Sequence, residues 1–233
     1  MNVILIPGFW LDGSSWDAVV PVLEQAGHRT HPLTLPGMES KDADRSEITL
    51  RDHVDAVVRV IDSLDGDIVL AGHSGGGPVA HAALDARPGR IAHVVYVDSW
   101  PLGDGGVVNA GLPAERGEVP LPDWSFFDDE DLVDLGEDLR AAFRERAIPT
   151  PAHVAHDPQR LSDERRYDVP ATVIACELPS ARLRDWMAQG EPDLRELAKL
   201  RHVGYLDLPT GHWPQFTRPA DLARAILQAI GPA

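Results

Sequence analysis

Gly72-His73-Ser74-Gly75-Gly76 lies between a short apolar run, residues 68–71, and a run typical of a helix, residues 78–87. The pattern G-x-S-x-G predicts a serine on a sharp turn from a strand into a helix. Glycines beside the serine leave room for such a turn and adopt unusual backbone angles at low cost. Backbone N–H groups at a helix start face a developing negative charge, so Ser74 is a candidate nucleophile. A glycine-rich turn with an incidental serine is the alternative, and the rest of the chain decides between them.

Length and charge narrow the class of protein. The chain has 233 residues, of which 43% are hydrophobic and 25% charged, as expected for one globular domain. Its net charge is −16 and it shows no basic cluster, which disfavours a nucleic-acid partner or an anionic membrane surface. The single cysteine, Cys176, excludes a disulfide framework within the chain and favours the cytoplasm. We see no secretory leader and no apolar run long enough to span a bilayer.

Strand and helix patterns alternate along most of the chain. Short apolar runs predict strands at residues 3–6, 31–35, 68–71, 93–97, 170–176 and 202–207. Helical spacing of apolar residues predicts helices at residues 15–25, 50–64, 78–87, 180–189, 192–200 and 220–230. This alternation predicts an α/β fold, with a mostly parallel central sheet and helices on both faces. In such sheets ligands bind at the carboxyl ends of the strands.

Residues 100–168 interrupt the alternation. They are rich in glycine, proline and acidic residues at first, and then show a helical pattern around 129–146 with no clear strand. We therefore expect one domain over residues 1–233, with a small lid inserted at about residues 100–168.

Three loops make the chain resemble the α/β-hydrolase superfamily over nearly its whole length. The loop Pro7-Gly8-Phe9-Trp10 stands where the family has its first oxyanion-hole loop, usually His-Gly-x. The pentapeptide around Ser74 matches the nucleophile turn, and Gly211-His212-Trp213-Pro214 matches the late histidine loop. Small size and a modest insertion resemble the branch of esterases and hydroxynitrile lyases.

The resemblance implies a catalytic base and an acid beside Ser74. His212 is the expected base, because it follows the last strand and its imidazole titrates near neutral pH. His73, inside the nucleophile turn, is more consistent with local packing. The family usually has an acid after the strand that here ends near residue 176, and Leu178 stands where that aspartate is expected. Asp98 is our first candidate and Glu177 the alternative, and a serine–histidine dyad or another acid stays open.

The same resemblance implies an oxyanion hole and a pocket. The oxyanion hole would use the backbone N–H groups of Phe9 and Gly75. Aromatic residues near the predicted catalytic loops favour a largely apolar pocket. The substrate-binding candidates are Trp10, Trp100, Trp124, Phe127 and Trp213.

These features predict a serine hydrolase that cleaves a small, largely apolar carboxylic ester or lactone. A cofactor-free lyase or other proton-transfer enzyme on the same scaffold is one alternative, and a catalytically silent small-molecule-binding protein is another. No Rossmann glycine pattern or Walker A motif is visible, so we expect no nucleotide cofactor, and we expect no metal either. The expected partner is a small-molecule substrate, and the sequence does not indicate an oligomeric state.

Overall fold

A six-stranded parallel sheet forms the centre of the molecule in the computed structural model, which describes residues 1–231. The last two residues of the expected 1–233 domain lie outside the described residues. The spatial order of the strands is β2-β1-β3-β4-β7-β8, and every neighbouring pair is parallel. Their bounds are β1 Asn2–Ile6, β2 Arg29–Pro32, β3 Ile68–His73, β4 Ile91–Val97, β7 Ala171–Ala175 and β8 Val203–Asp207. Strands β5 Glu118–Val119 and β6 Thr150–Pro151 form a separate antiparallel pair.

Helices connect the strands of the main sheet. The α-helices are α1 Val20–Gln25, α2 Leu50–Ser63, α3 Gly76–Ala86, α4 Glu137–Arg146, α5 Ala152–His156, α6 Ser180–Ala188, α7 Pro214–Thr217 and α8 Pro219–Ile230. Short 3₁₀ helices lie at Gly13–Trp16, Pro88–Arg90, Trp124–Phe126, Glu164–Asp168, Pro192–Leu194 and Leu197–Lys199. Among the residues described, no helix is both long and apolar enough to cross a membrane.

Both faces of the sheet are covered, which explains why its four inner strands, β1, β3, β4 and β7, are mostly apolar. In β1, Ile4 and Ile6 pack in the core with α2 and α3, whereas Val3 and Leu5 pack in the core with α1 and α8. Successive side chains of a strand point to opposite faces, so both sets must be apolar when helices lie on both sides. The predicted α/β fold with a parallel sheet is confirmed.

Some predicted element bounds are wrong for local reasons. The helix expected at 15–25 is a 3₁₀ turn followed by α1, which begins at Val20 with a proline in its first turn. The helix expected at 192–200 is two 3₁₀ turns, and the strand expected at 31–35 is β2, at Arg29–Pro32. The helix expected around 129–146 begins only at Glu137.

The segment between β4 and β7, which we call the insertion, adds no strand to the main sheet. It contains β5, β6, α4 and α5, and its residues Leu112, Leu135 and Phe143 join the core on the α2–α3 face. The sequence showed no strand here, because two-residue strands are too short to display an alternating pattern.

Candidate active site

Four predicted site residues lie at one edge of the sheet. Ser74 directly follows β3, Asp98 directly follows β4, Glu177 follows β7, and His212 lies in the loop after β8. The strands are parallel, so their carboxyl ends meet at the same edge. Residues that are far apart in sequence are thereby brought within hydrogen-bond distance.

Ser74 has a strained backbone. Its φ is +50°, in a region that non-glycine residues rarely adopt, while its N–H donates to the carbonyl of Val97 at 3.1 Å. Gly75 follows without a side chain, because an ideal Cβ there would lie 2.6 Å from the Phe9 ring. The turn brings the first residues of α3 and the loop after β1 together around the serine. Strain of this kind is common at functional sites.

His212 faces Ser74 through one ring nitrogen. Its Nε2 lies 2.7 Å from Oγ of Ser74. His73 supports the histidine loop from behind, since its Nε2–H donates to the His212 carbonyl at 2.6 Å. Burial lowers the pKa of His73 to about 3, so this imidazole is neutral and its Nδ1 accepts from the Gln215 amide at 3.1 Å.

The other ring nitrogen of His212 faces two carboxylates. Oδ2 of Asp98 lies 2.7 Å from Nδ1, and Oε2 of Glu177 lies 3.4 Å from the same atom. Oδ1 of Asp98 accepts the N–H groups of Cys176 at 2.9 Å and Glu177 at 3.3 Å. Asp98 therefore makes a shorter contact with His212 than Glu177 does, and its carboxylate is held in place by two backbone N–H groups.

The two carboxylates strongly favour the charged imidazole. Burial alone would lower the pKa of His212, but the hydrogen bond to Asp98 and the negative charges of Asp98 and Glu177 outweigh burial and raise the pKa to about 10. Asp131 adds a further carboxyl group. Burial, followed by a hydrogen bond to Glu177 and that group's charge, raises the pKa of Asp131 to about 7.

The insertion crosses the histidine loop at very short range. The N–H of His212 donates to the Asp131 carbonyl at 2.8 Å, and the N–H of Gly211 donates to the Val133 carbonyl at 3.0 Å. An ideal Cβ on Gly211 would lie 2.2 Å from the Asp131 carbonyl oxygen. Only glycine fits at this crossing.

The two backbone N–H groups expected in an oxyanion hole are both available. Among the described residues, neither the Phe9 nor the Gly75 N–H donates to another protein group. Both residues line the cavity that opens at Ser74. Backbone donors of this kind can stabilise an oxyanion.

The cavity has a volume of about 400 Å³ and combines apolar and acidic surfaces. Its lining residues are Phe9, Trp10, Ser74, Gly75, Pro78, Asp98, Ser99, Trp100, Leu102, Val108, Asn109, Leu112, Phe126, Phe127, Asp128, Asp131, Glu177 and His212. Three of the five predicted substrate-binding residues are present: Trp10, Trp100 and Phe127.

The other two predicted residues, Trp124 and Trp213, lie outside the lining of this cavity. Trp213 is 1% exposed, and its ring packs against His212, Trp124, Phe127 and Phe143 with centroid distances of 5.2–5.9 Å. These two tryptophans lie behind the site rather than in its wall, because proximity in sequence to a reactive loop does not tell which side of the loop a ring occupies.

Sequence reasoning missed Asp128 and Asp131, which belong to a run of acidic residues that resembles any solvated surface segment. No local pattern distinguishes them. Asp98, Glu177 and His212 offer ligand atoms within 4.8 Å of one another and are where the described residues could hold a metal ion. A metal on Nδ1 of His212 would have to displace its hydrogen bond to Asp98.

Comparison with known proteins agrees with the fold. A family model described as the alpha/beta hydrolase family matches residues 3–225. The pyrethroid hydrolase of Sphingobium wenxiniae is 25% identical over 97% of this chain and 86% of its own length. The carbendazim hydrolyzing esterase of a Nocardioides species is 31% identical, over 48% of this chain and 47% of its own.

A solved structure supports the fold. An extracellular alpha/beta-hydrolase from a Paenibacillus species, described as sharing structural and functional homology with tobacco salicylic acid binding protein 2, superposes with a TM-score of 0.78. It is 22% identical, and the match covers 98% of each chain.

Proposed function

The chain belongs to the alpha/beta hydrolase family, and on that premise we propose that it hydrolyses a small, largely apolar carboxylic ester or lactone through an acyl-enzyme at Ser74. One observation carries the proposal: the continuous contact from Ser74 Oγ to His212 Nε2, and from His212 Nδ1 to Asp98 Oδ2, each 2.7 Å long. A serine hydroxyl is a weak nucleophile until a base removes its proton, and this contact supplies the base and its orienting acid.

In the acylation step, His212 Nε2 takes the Ser74 proton while Oγ attacks the ester carbonyl carbon. The Phe9 and Gly75 N–H groups stabilise the negative charge that develops on the carbonyl oxygen. The imidazolium then gives its proton to the departing alkoxide, and the acyl group stays on Ser74. Asp98 holds the tautomer and stabilises the imidazolium without accepting its proton.

Deacylation repeats these steps with water. His212 removes a proton from the water molecule, whose oxygen attacks the acyl carbon, and then returns a proton to Ser74 Oγ as the bond breaks. The products are a carboxylic acid and the regenerated serine. Over the two steps only the ester and one water molecule are consumed.

The cavity supports a small-molecule substrate with an apolar part. Trp10, Trp100 and Phe127 form aromatic surface beside Ser74, suited to an aryl or alkyl group. Two relatives carry the names of a hydrolase and an esterase that act on small molecules. Insertion residues such as Leu112 and Phe127 also line the cavity, so we propose that residues 100–168 serve as its lid within a single domain.

Labelling with a fluorophosphonate tests the proposal directly. Mass spectrometry should find the adduct on the peptide that contains Ser74, and Ser74→Ala should abolish it. His212→Ala should lower kcat on short-chain aryl esters by about 10³-fold or more, because the serine is then unactivated. His202→Ala, at an exposed position, is the matched control.

The labelling result also separates the alternatives. A Ser74 that resists the reagent in the folded protein would favour a catalytically silent binding protein. Elimination products, in place of an acid and an alcohol, would favour a lyase that uses His212 for proton transfer. Full labelling of Ser74→Ala would refute the nucleophile assignment.

A further inference from the structure

Trp10 has an unusual backbone in the loop that carries the proposed oxyanion donor. Its φ is +64°, a left-handed conformation that is costly for a bulky side chain. The residue is 5% exposed and its ring lines the cavity. Such a conformation persists only where surrounding groups hold it.

Three hydrogen bonds hold Trp10, and in each of them its partner is a residue of the insertion. Its N–H donates to Thr150 Oγ1 at 2.9 Å, and its indole Nε1–H donates to the Val119 carbonyl at 3.1 Å. Its carbonyl accepts the N–H of Ile148 at 3.0 Å. Val119 and Thr150 are direct partners in the β5–β6 pair, so this small sheet is built around Trp10.

The contact with Thr150 acts on the peptide unit next to the proposed donor. The N–H that Thr150 accepts belongs to the Phe9–Trp10 peptide, and the Phe9 N–H belongs to the peptide before it. Thr150 thus fixes the peptide that directly follows Phe9, and so restrains the loop backbone that carries the Phe9 N–H. A misplacement of about 1 Å in a catalytic group can cost about 10²-fold in rate, so the position of the donor matters.

We infer that Thr150 is a positioning residue for the oxyanion hole, acting through its side-chain hydrogen bond to the backbone of Trp10. This inference rests on the proposed function. Pro7 stands at the start of the same loop and has neither a backbone N–H nor a side-chain donor to hold it. Thr150 is 1% exposed, so water does not readily replace its hydroxyl.

Thr150→Val removes the hydroxyl and keeps the shape, whereas Thr150→Ser keeps the acceptor. With short-chain aryl esters, Thr150→Val should lower kcat by about 10- to 100-fold with KM within about twofold, a smaller loss than removing a donor outright. Thr150→Ser should keep kcat within about threefold of the wild type. Thr150→Cys, with a weaker acceptor, should fall between the two and serves if the valine variant does not fold.

A trifluoromethyl ketone provides the readout that a packing role would not change. This inhibitor forms a tetrahedral oxyanion on Ser74, so Thr150→Val should weaken inhibitor binding by the same factor by which kcat falls. The affinity for the uncharged ester substrate should stay unchanged. Wild-type kcat and inhibitor affinity in folded Thr150→Val or Thr150→Cys would overturn the inference, and so would an equal loss in Thr150→Ser. If the wild-type protein itself resists fluorophosphonate, the proposed function fails instead.

Discussion

The carboxylate of Asp98 is held in place against Nδ1 of His212. One carboxylate oxygen lies 2.7 Å from the ring nitrogen, and the other accepts main-chain N–H groups at 2.9 and 3.3 Å. The Asp98 backbone is itself in a left-handed conformation, with a φ of +43°. Because each of its two oxygens has a hydrogen-bond partner, the carboxylate can orient the imidazole with little loss of side-chain entropy.

We therefore expect Asp98→Asn to cost more activity than Glu177→Gln. An asparagine amide can donate to Nδ1 and favour the wrong tautomer, so kcat should fall by about 10³-fold or more. Glu177→Gln should lower kcat by less than about tenfold, because its contact is longer, at 3.4 Å. Both variants are compared by kcat on the alkaline plateau of each pH profile, after circular dichroism has shown equal folding. A larger loss from Glu177→Gln would transfer the orienting role to Glu177.

The raised pKa of His212 predicts an alkaline activity profile. The neighbouring carboxylates stabilise the imidazolium, whereas a general base must be neutral, so kcat/KM should rise as pH rises toward the pKa of about 10. Glu177→Gln removes one negative charge and should move this rise to lower pH by about half a unit or more. The exposed Glu145→Gln makes the same charge change elsewhere and should leave the profile unmoved. A profile that shifts upward or stays fixed in Glu177→Gln would contradict the assignment.

Gly211→Ala should lower activity severely. The new Cβ would meet the Asp131 carbonyl, so one of the two backbones must move and the His212 N–H must lose or lengthen its 2.8 Å hydrogen bond. A shift of about 1 Å at His212 would cost about 10²-fold in kcat. Gly89→Ala is the matched control, since no atom lies within 4 Å of its ideal Cβ. Equal kcat in the two variants would show that the crossing does not position His212.

The aromatic residues should divide into two classes. Trp213→Ala should lower the free energy of unfolding by about 3–5 kcal/mol, because the ring is buried among other rings. Phe126→Ala, at a side chain 50% exposed, should change it by less than about 0.5 kcal/mol. Phe127→Ala should instead change the preferred acyl chain length, because its ring lines the cavity. Urea denaturation and a panel of aryl esters measure the two effects, and unaltered stability in Trp213→Ala would refute its place in the core.

The alternation of apolar runs and helical spacing was enough to predict the α/β fold, because a sheet covered on both faces requires apolar residues at most positions of its inner strands. Because Ser74, Asp98, Glu177 and His212 each follow a strand of this parallel sheet, its topology brings all four to one edge. The sequence left the choice between Asp98 and Glu177 open, because it depends on side-chain direction and on the N–H groups of Cys176 and Glu177. The assignment of roles to these residues stays a prediction.

Contacts between the insertion and the catalytic loops were beyond reach of the sequence. Thr150 and Trp10 are 140 positions apart, and their hydrogen bond depends on how the insertion folds back over the loop after β1. The acidic run that contains Asp131 carries no periodicity that would place one member against the histidine loop. Position in the fold, rather than residue type, gives these side chains their significance.

The insertion contacts the two loops on either side of Ser74 through its own backbone, at Asp131 and Val133 on one side and at Ile148 on the other. An insertion transferred from a relative would therefore have to reproduce the backbone hydrogen bonds to both loops. In laboratory evolution, we expect active variants with new substrate preferences to carry changes at cavity-facing positions such as Leu112 and Phe127. We expect few such changes at the positions that make the backbone contacts. Substitutions in the insertion can thus change substrate range without loss of catalysis only at its cavity-facing positions.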